Sequence, residues 1–181
     1  MSIWEVRNNK QRFTYSQIML WVAFDRGLRL SDKRMFPCPN RDKWLKARDT
    51  LCEEIMDKGY NTDMQCFVQS YENNTMLDSS ILIAPLVFFI SPCDPRFTNT
   101  LDRILLPPEK GGLTETGLVY RYDTELSDDG KAEPPLSSLF YPVLTPSHLR
   151  EDDADCTLRL EQEWEAERGL LACAPSGSSK P

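Results

Sequence analysis

Residues 15–33 constrain this chain more than any other stretch, because nine apolar residues (Ile18, Met19, Leu20, Trp21, Val22, Ala23, Phe24, Leu28 and Leu30) fall there, with neither glycine nor proline before Gly27. The spacing predicts a helix that is apolar nearly all round. Such a helix must be enclosed on several sides, which rules out a lone surface helix. Trp21 and Phe24 are accordingly assigned to the core. After the Pro37-Cys38-Pro39 break, Asn40 is placed to cap a second helix whose face carries Trp44, Leu45, Arg48, Leu51, Cys52, Ile55 and Met56 at three-to-four spacing. Gly59 ends it as a C-terminal cap. This second helix is expected to have one apolar and one charged face.

Residues 59–71 begin with turn formers and continue with β-favouring residues, so they predict a turn and a short extended piece. Asp78 is then a candidate N-cap for a helix over 79–90, apolar all round despite Pro85. Asp94-Pro95 opens another helix, running to about Leu105, with the acid at the cap and proline in the first turn. Pro107-Pro108 stops it. The order buried, amphipathic, buried, amphipathic suits a two-layer ring of helical hairpins and an all-α fold. Four helices cannot close such a ring, and the open flanks would leave apolar surface exposed at roughly 25 cal/mol per Å². Beyond Gly130 the chain turns rich in proline and acid, with Pro134, Pro135, Pro142, Pro146 and Glu151-Asp152-Asp153. We therefore divide it into a helical part, 1–130, and a tail, 131–181, expected to be largely disordered with one possible polar helix over 158–171.

With 181 residues, 40% hydrophobic and 27% charged, the chain is long enough for one domain with a real core. Its formal net charge of -7 removes the electrostatic attraction on which nucleic-acid and anionic-membrane binders rely. Neutral substrates, sugars included, remain compatible. The strongly apolar run 81–90 is about half the roughly 20 residues needed to span a bilayer, and Met1 is followed at once by Ser-Ile-Trp-Glu, without a basic-then-apolar leader. The expectation is a cytoplasmic protein. Cys38, Cys52, Cys66, Cys93, Cys156 and Cys173 are irregularly spaced, form no CxxC pair and have only His148 to assist them, so free, mostly buried thiols are expected and no metal site or cofactor. Asn73-Asn74-Thr75 is formally a glycosylation acceptor, but carries no weight in a protein that is not secreted.

Four blocks bear a family resemblance. Ile3-Trp4-Glu5-Val6-Arg7 comes first, followed by Phe13-Thr14-Tyr15-Ser16-Gln17-Ile18-Met19-Leu20-Trp21-Val22-Ala23-Phe24-Asp25-Arg26. Next come Gln69-Ser70-Tyr71 with Leu77-Asp78-Ser79-Ser80, and finally Gly117-Leu118-Val119-Tyr120-Arg121-Tyr122. In this order they resemble glycoside hydrolase family fifteen, the group of glucoamylases and some trehalases, with its patterns of the type IWE-[VF]-R and FTYSK-x-M-x-WVA-x-DR. The resemblance ends near Gly130. It implies part of an (α/α)6 toroid of six helical hairpins, and hydrolysis of an α-glucosidic bond in starch-like oligosaccharides or trehalose with inversion at the anomeric carbon.

The resemblance also assigns roles. Glu5 matches the family's general acid, and an apolar neighbour such as Trp4 would help a carboxyl hold the proton it must give to the leaving oxygen. Arg121 matches an arginine that hydrogen-bonds sugar hydroxyls, with a surface ion pair to Asp123 or Glu125 as the alternative. Arg7 would orient Glu5 or line the sugar subsite, against the default of an exposed loop arginine. Trp4, Tyr71 and Tyr120 offer rings that could stack on sugar faces or serve the core. Asp78 is read as a helix cap rather than a ligand, and His148 as a solvated loop residue. Two departures stand out. Gln17 replaces the family's usual lysine, and the second carboxylate needed to activate water, set roughly 6.5–9.5 Å from the acid, lies in a late family segment that has no counterpart here. Glu161, Glu163, Glu165 and Glu167 read as a solvated helix face instead. The expectation is therefore a fragment inactive by itself, binding an oligosaccharide or disaccharide. The alternative is a non-catalytic helical interaction module derived from such an enzyme. Nothing in the sequence fixes the oligomeric state.

Overall fold

In the computed structural model, residues 11–116 and 118–123 are described here. They are mostly helical. In chain order they form α1 (Thr14–Arg34), α2 (Arg41–Lys58), a hairpin of β1 (Tyr60–Asn61) and β2 (Cys66–Phe67), a 3-10 turn (Ser79–Ile83), α3 (Pro95–Ile104), a second 3-10 turn (Pro108–Lys110), and a hairpin of β3 (Thr114–Glu115) and β4 (Leu118–Val119).

Helix α1 forms where the sequence predicts it, but it buries one stripe rather than its whole circumference. Thr14, Ile18, Trp21, Asp25, Leu28 and Ser31 face inward at steps of three or four, while Leu20 and Leu30 are exposed. Phe24, expected in the core, is half-buried. The helix stops at Met35, which takes the left-handed conformation at φ 55° and donates its N–H to Ser31 O. Lys33 and Arg34 in the last turn suit the negative end of the helix dipole.

The proline-flanked loop returns the chain as α2, antiparallel to α1. Asp32 meets Arg41 at 3.0 Å, Gly27 lies against the Trp44 ring, and Thr14 lies against Gly59. Asn40 stands at the N-cap of α2 without a side-chain hydrogen bond. Gly59 does end the helix, but at φ -88°, so it is not needed for a left-handed turn. It is glycine for space: a Cβ there would come 2.7 Å from Ile55 O and 2.9 Å from Thr14 Cγ2. The apolar face expected of α2 is thin, since Ile55 is its one fully buried residue.

The turn and extended piece expected over 59–71 are present as the β1–β2 hairpin, pairing Tyr60 with Phe67 and Asn61 with Cys66. The helix expected over 79–90 is not. Asp78 caps it as predicted, its Oδ1 accepting from Ser80 N at 2.8 Å, yet only 79–83 wind as a 3-10 turn and the chain continues in turns. Pro85 and the left-handed Phe88 at φ 61° break the helical path. The segment is still core: Ile81, Leu82, Ala84, Phe89 and Ile90 are buried, and Phe89 meets the Trp21 ring edge-on at 5.2 Å. Helix α3 opens as predicted at Asp94-Pro95, with Asp94 Oδ1 accepting from Arg96 N at 2.9 Å. Phe97, Thr100, Leu101 and Ile104 form its buried side.

Of the four described cysteines only Cys66 is buried; Cys38 and Cys52 are half-buried and Cys93 is exposed. The expectation of mostly buried thiols therefore fails for these four. Burial pushes the Cys66 thiol above its ordinary pKa, away from reactive thiolate. No described helix is long and apolar enough to cross a membrane.

Candidate functional site

The family-like blocks in the described residues are joined by main-chain hydrogen bonds. Phe13 and Ser70 form an isolated antiparallel bridge, with Thr14 N donating to Gln69 O at 2.8 Å and Tyr71 N to Arg12 O at 3.1 Å. Gln69 N in turn donates to Met76 O at 2.8 Å, next to the capping residue Asp78. Ser79 N then donates to Arg121 O at 2.7 Å, which brings the last block against the third.

The arginine block is positioned by the end of α3. Leu113 N donates to Ile104 O at 2.9 Å, Thr114 N to Leu106 O at 3.0 Å, and Thr114 Oγ1 to Ile104 O at 3.0 Å. Glycine is required at 112, where a Cβ would fall 2.0 Å from Leu106 O. The hairpin then returns through Thr116, itself left-handed at φ 50°, and Tyr120 N closes on Leu113 O at 2.7 Å.

Arg121 sits beside a buried carboxylate. Its Nε lies 3.8 Å from Oδ1 of Asp78, whose side chain is only 2% exposed while that of Arg121 is 21% exposed. Asp78 is thus both the cap expected of it and the counter-charge of the sugar-binding candidate. Tyr120 is half-buried, and its hydroxyl donates to Glu115 Oε2 at 2.7 Å, a bond that pushes the phenol above its ordinary pKa. Tyr71 is half-buried with its ring under the Arg12 guanidinium, 5.3 Å from the ring centroid, and burial raises its pKa, with the neighbouring Glu54 adding to the effect. Arg12 binds Glu72 through both its backbone N, at 2.7 Å, and its Nε, at 3.0 Å. Glu5, Trp4, Arg7 and His148 lie outside the described residues.

One cluster was missed. Asp25, 1% exposed, lies in the inward stripe of α1, with Arg29 Nε at 2.9 Å, Arg26 Nη1 at 3.7 Å and Arg48 Nη1 of α2 at 3.9 Å. The signal was available: a carboxylate at the fourth step of the series 14, 18, 21, 25, 28 must be buried, and a buried charge needs partners. Its role is to pin the two helices together. Among the described residues no group of three or more histidine, cysteine or acidic side chains is placed to hold a metal.

The described residues form a mostly helical unit in which the Arg121 block meets the Asp78 block. The sequence profile described as "Glycosyl hydrolases family 15" matches residues 1–166. The chain is 38% identical over 128 residues to the trehalase of Mycobacterium tuberculosis, covering 71% of this chain and 18% of that protein. It is 33% identical over 129 residues to the trehalase of Thermoplasma volcanium, covering 71% of this chain and 19% of the relative. The trehalase of Mycolicibacterium smegmatis is 35% identical over 130 residues, 72% of this chain and 18% of its own length. No solved structure matches. The chain belongs to glycosyl hydrolases family 15 and spans less than a fifth of the length of these relatives.

Proposed function

We propose that residues 1–130 supply the acid-bearing portion of an inverting, trehalase-like α-glucoside hydrolase, built as part of an (α/α)6 toroid in which α1 and α2 make one hairpin. The observation that carries the reading is the meeting of Arg121 with buried Asp78 inside a chain that shares 38% of its residues with a trehalase over 128 positions. Glu5 protonates the leaving glycosidic oxygen. Arg121 and Arg7 donate hydrogen bonds to sugar hydroxyls, and Trp4 and Tyr120 flank the ring. Water attacks the opposite face of the anomeric carbon, activated by a second carboxylate roughly 6.5–9.5 Å from the acid. That base matches nothing in these 181 residues, so the chain alone is expected to turn over little or no substrate. The boundary near Gly130 is part of this proposal, and the family profile itself extends to residue 166.

The interaction-module alternative draws on exposed Leu30, Met35 and Phe36 at the turn between α1 and α2. Exposed apolar residues are equally expected of a portion whose relatives are about five times longer, so they do not favour it.

Replacing the matched 128-residue segment of the M. tuberculosis trehalase by this chain's own residues tests the proposal. A folded chimera is expected to cleave trehalose into one α- and one β-glucose, seen by proton NMR before mutarotation. Glu5→Gln should cut the rate by about 10²-fold or more. A folded chimera indifferent to Glu5→Gln, or one that is inert, overturns it.

A further inference from the structure

Asp78 occupies an unusual position for a capping residue. One carboxylate caps the turn at Ser79–Ile83 by accepting from Ser80 N at 2.8 Å, and the same oxygen lies 3.8 Å from Arg121 Nε. The main chain closes the link again, since Ser79 N donates to Arg121 O at 2.7 Å. Arg121 is therefore gripped at both ends, by its carbonyl and by its guanidinium, from two consecutive residues of a different segment. A cap alone needs no charge, as asparagine serves equally well there. Taking an uncompensated carboxylate out of water is costly, so a side chain 2% exposed points to a use for its charge.

Resting on the function proposed above, we propose that Asp78 is a positioning residue, holding the guanidinium of Arg121 in the orientation from which it meets sugar hydroxyls. The approach at Nε is an ion pair longer than a hydrogen bond, so it acts by charge and holds the planar fork on the Asp78 side. Geometry of that kind acts on substrate binding through another residue, since Asp78 itself need not touch the sugar.

The test uses the full 181-residue chain, labelled with nitrogen-15 throughout and titrated with trehalose by NMR. The Nε–H signal of Arg121, assigned by its loss in Arg121→Lys, is expected to exchange slowly with water. In Asp78→Asn, which keeps an acceptor for Ser80 N, that exchange should rise about tenfold, while the Nε–H of Arg96 on Asp94 stays unchanged. Trehalose should shift the Arg121 signal in the parent chain, with the midpoint raised about tenfold in Asp78→Asn and largely restored in Asp78→Glu. An Arg121 signal identical in parent and Asp78→Asn overturns the positioning role. Failure of trehalose to shift Arg121 in the parent, with the Asp78 effect on exchange intact, overturns the sugar-binding reading and leaves the Asp78–Arg121 coupling standing. Should Asp78→Asn fail to fold, Arg121→Gln reads the contact from the other side. Loss of the trehalose-induced shifts at the Ser79 and Ser80 amides then supports the coupling, and their persistence overturns it.

Discussion

Thr100 holds the β1–β2 hairpin to α3 through a bond whose worth can be isolated. Its Oγ1 accepts from Phe67 N at 2.9 Å and donates to Arg96 O at 2.6 Å, and both Thr100 and Phe67 are at most 1% exposed. Thr100→Val keeps the shape of the side chain and removes the acceptor, so the Phe67 N–H is stranded away from water, at about 1–3 kcal/mol. Thr100→Ser keeps both hydrogen bonds and removes one methyl, at about 1 kcal/mol including the small cavity. Valine and threonine have similar helix propensities, so the backbone of α3 adds little to the difference. Valine should therefore be the worse substitution, despite being the more hydrophobic and the better space filler. At roughly 3–5 °C per kcal/mol for a unit of this size, Thr100→Val lowers Tm by about 3–15 °C. Thermal and urea unfolding of the two variants side by side give the comparison, and amide exchange at Phe67 localises it. A Thr100→Val protein as stable as the parent, or more stable than Thr100→Ser, refutes the reasoning.

At Gly112 an alanine Cβ would meet Leu106 O at 2.0 Å, a backbone atom that cannot swing aside, so Gly112→Ala should cost at least about 3 kcal/mol by thermal unfolding and disturb the amide signals of Tyr120 and Arg121. Asp25→Asn removes the counter-charge shared by Arg26, Arg29 and Arg48, and should lower stability by about 3 kcal/mol in urea unfolding, whereas Asp32→Asn, in an exposed pair with Arg41, should change it by less than about 1 kcal/mol. Arg96, through its side-chain hydrogen bonds to Asp94, holds that carboxyl below its ordinary value. The stabilisation is thus complete above the usual carboxylate range, near about pH 4, and is lost as pH falls through the lower folded value. Asp94→Asn retains the cap, so it should be less stable than the parent by under about 1 kcal/mol at neutral pH and lose less between about pH 5 and pH 2, checked by unfolding at a series of pH values.

The helices legible in the sequence were those with chemical punctuation. Asp94-Pro95 opens α3 because the carboxylate accepts from Arg96 N while the proline gives up an N–H that no helix needs there. The Pro37-Cys38-Pro39 break lies between α1, which ends at left-handed Met35, and α2, and neither proline can continue a helical hydrogen-bond ladder. Over 79–90 the pattern failed, because a run apolar at nearly every position carries no period to distinguish a helix from buried turns. Phe88, left-handed at φ 61°, decides the path there, and its ring packs under the Arg26 guanidinium at 5.2 Å, a tertiary contact that local sequence does not announce. Gly59 ends α2 as expected, and the glycine there answers to Thr14, 45 residues away in sequence, rather than to its own dihedral angles. At the site, Tyr120 and Arg121 were named from the sequence, whereas the charge partner of Arg121 was not. Asp78 is far from it in sequence, yet it combines a buried carboxylate with a backbone link to the same arginine through the neighbouring Ser79 N.

That last pairing says something about how the family's separated blocks work together. From Arg12 O to Tyr71 N, from Gln69 N to Met76 O, and from Ser79 N to Arg121 O, each step between blocks is a main-chain hydrogen bond of 2.7–3.1 Å. Main-chain bonds do not depend on which side chain occupies a position, so Arg12 and Phe13 are tied in register to the segment carrying Arg121 whatever the intervening side chains are. Ion pairs lie at both ends of that register, Arg12–Glu72 at one and Asp78–Arg121 at the other. The first is exposed and contributes little to stability, while the second is buried at the carboxylate. It follows that neutral replacements at Arg12 or Glu72 should leave the arrangement of Arg121 unchanged.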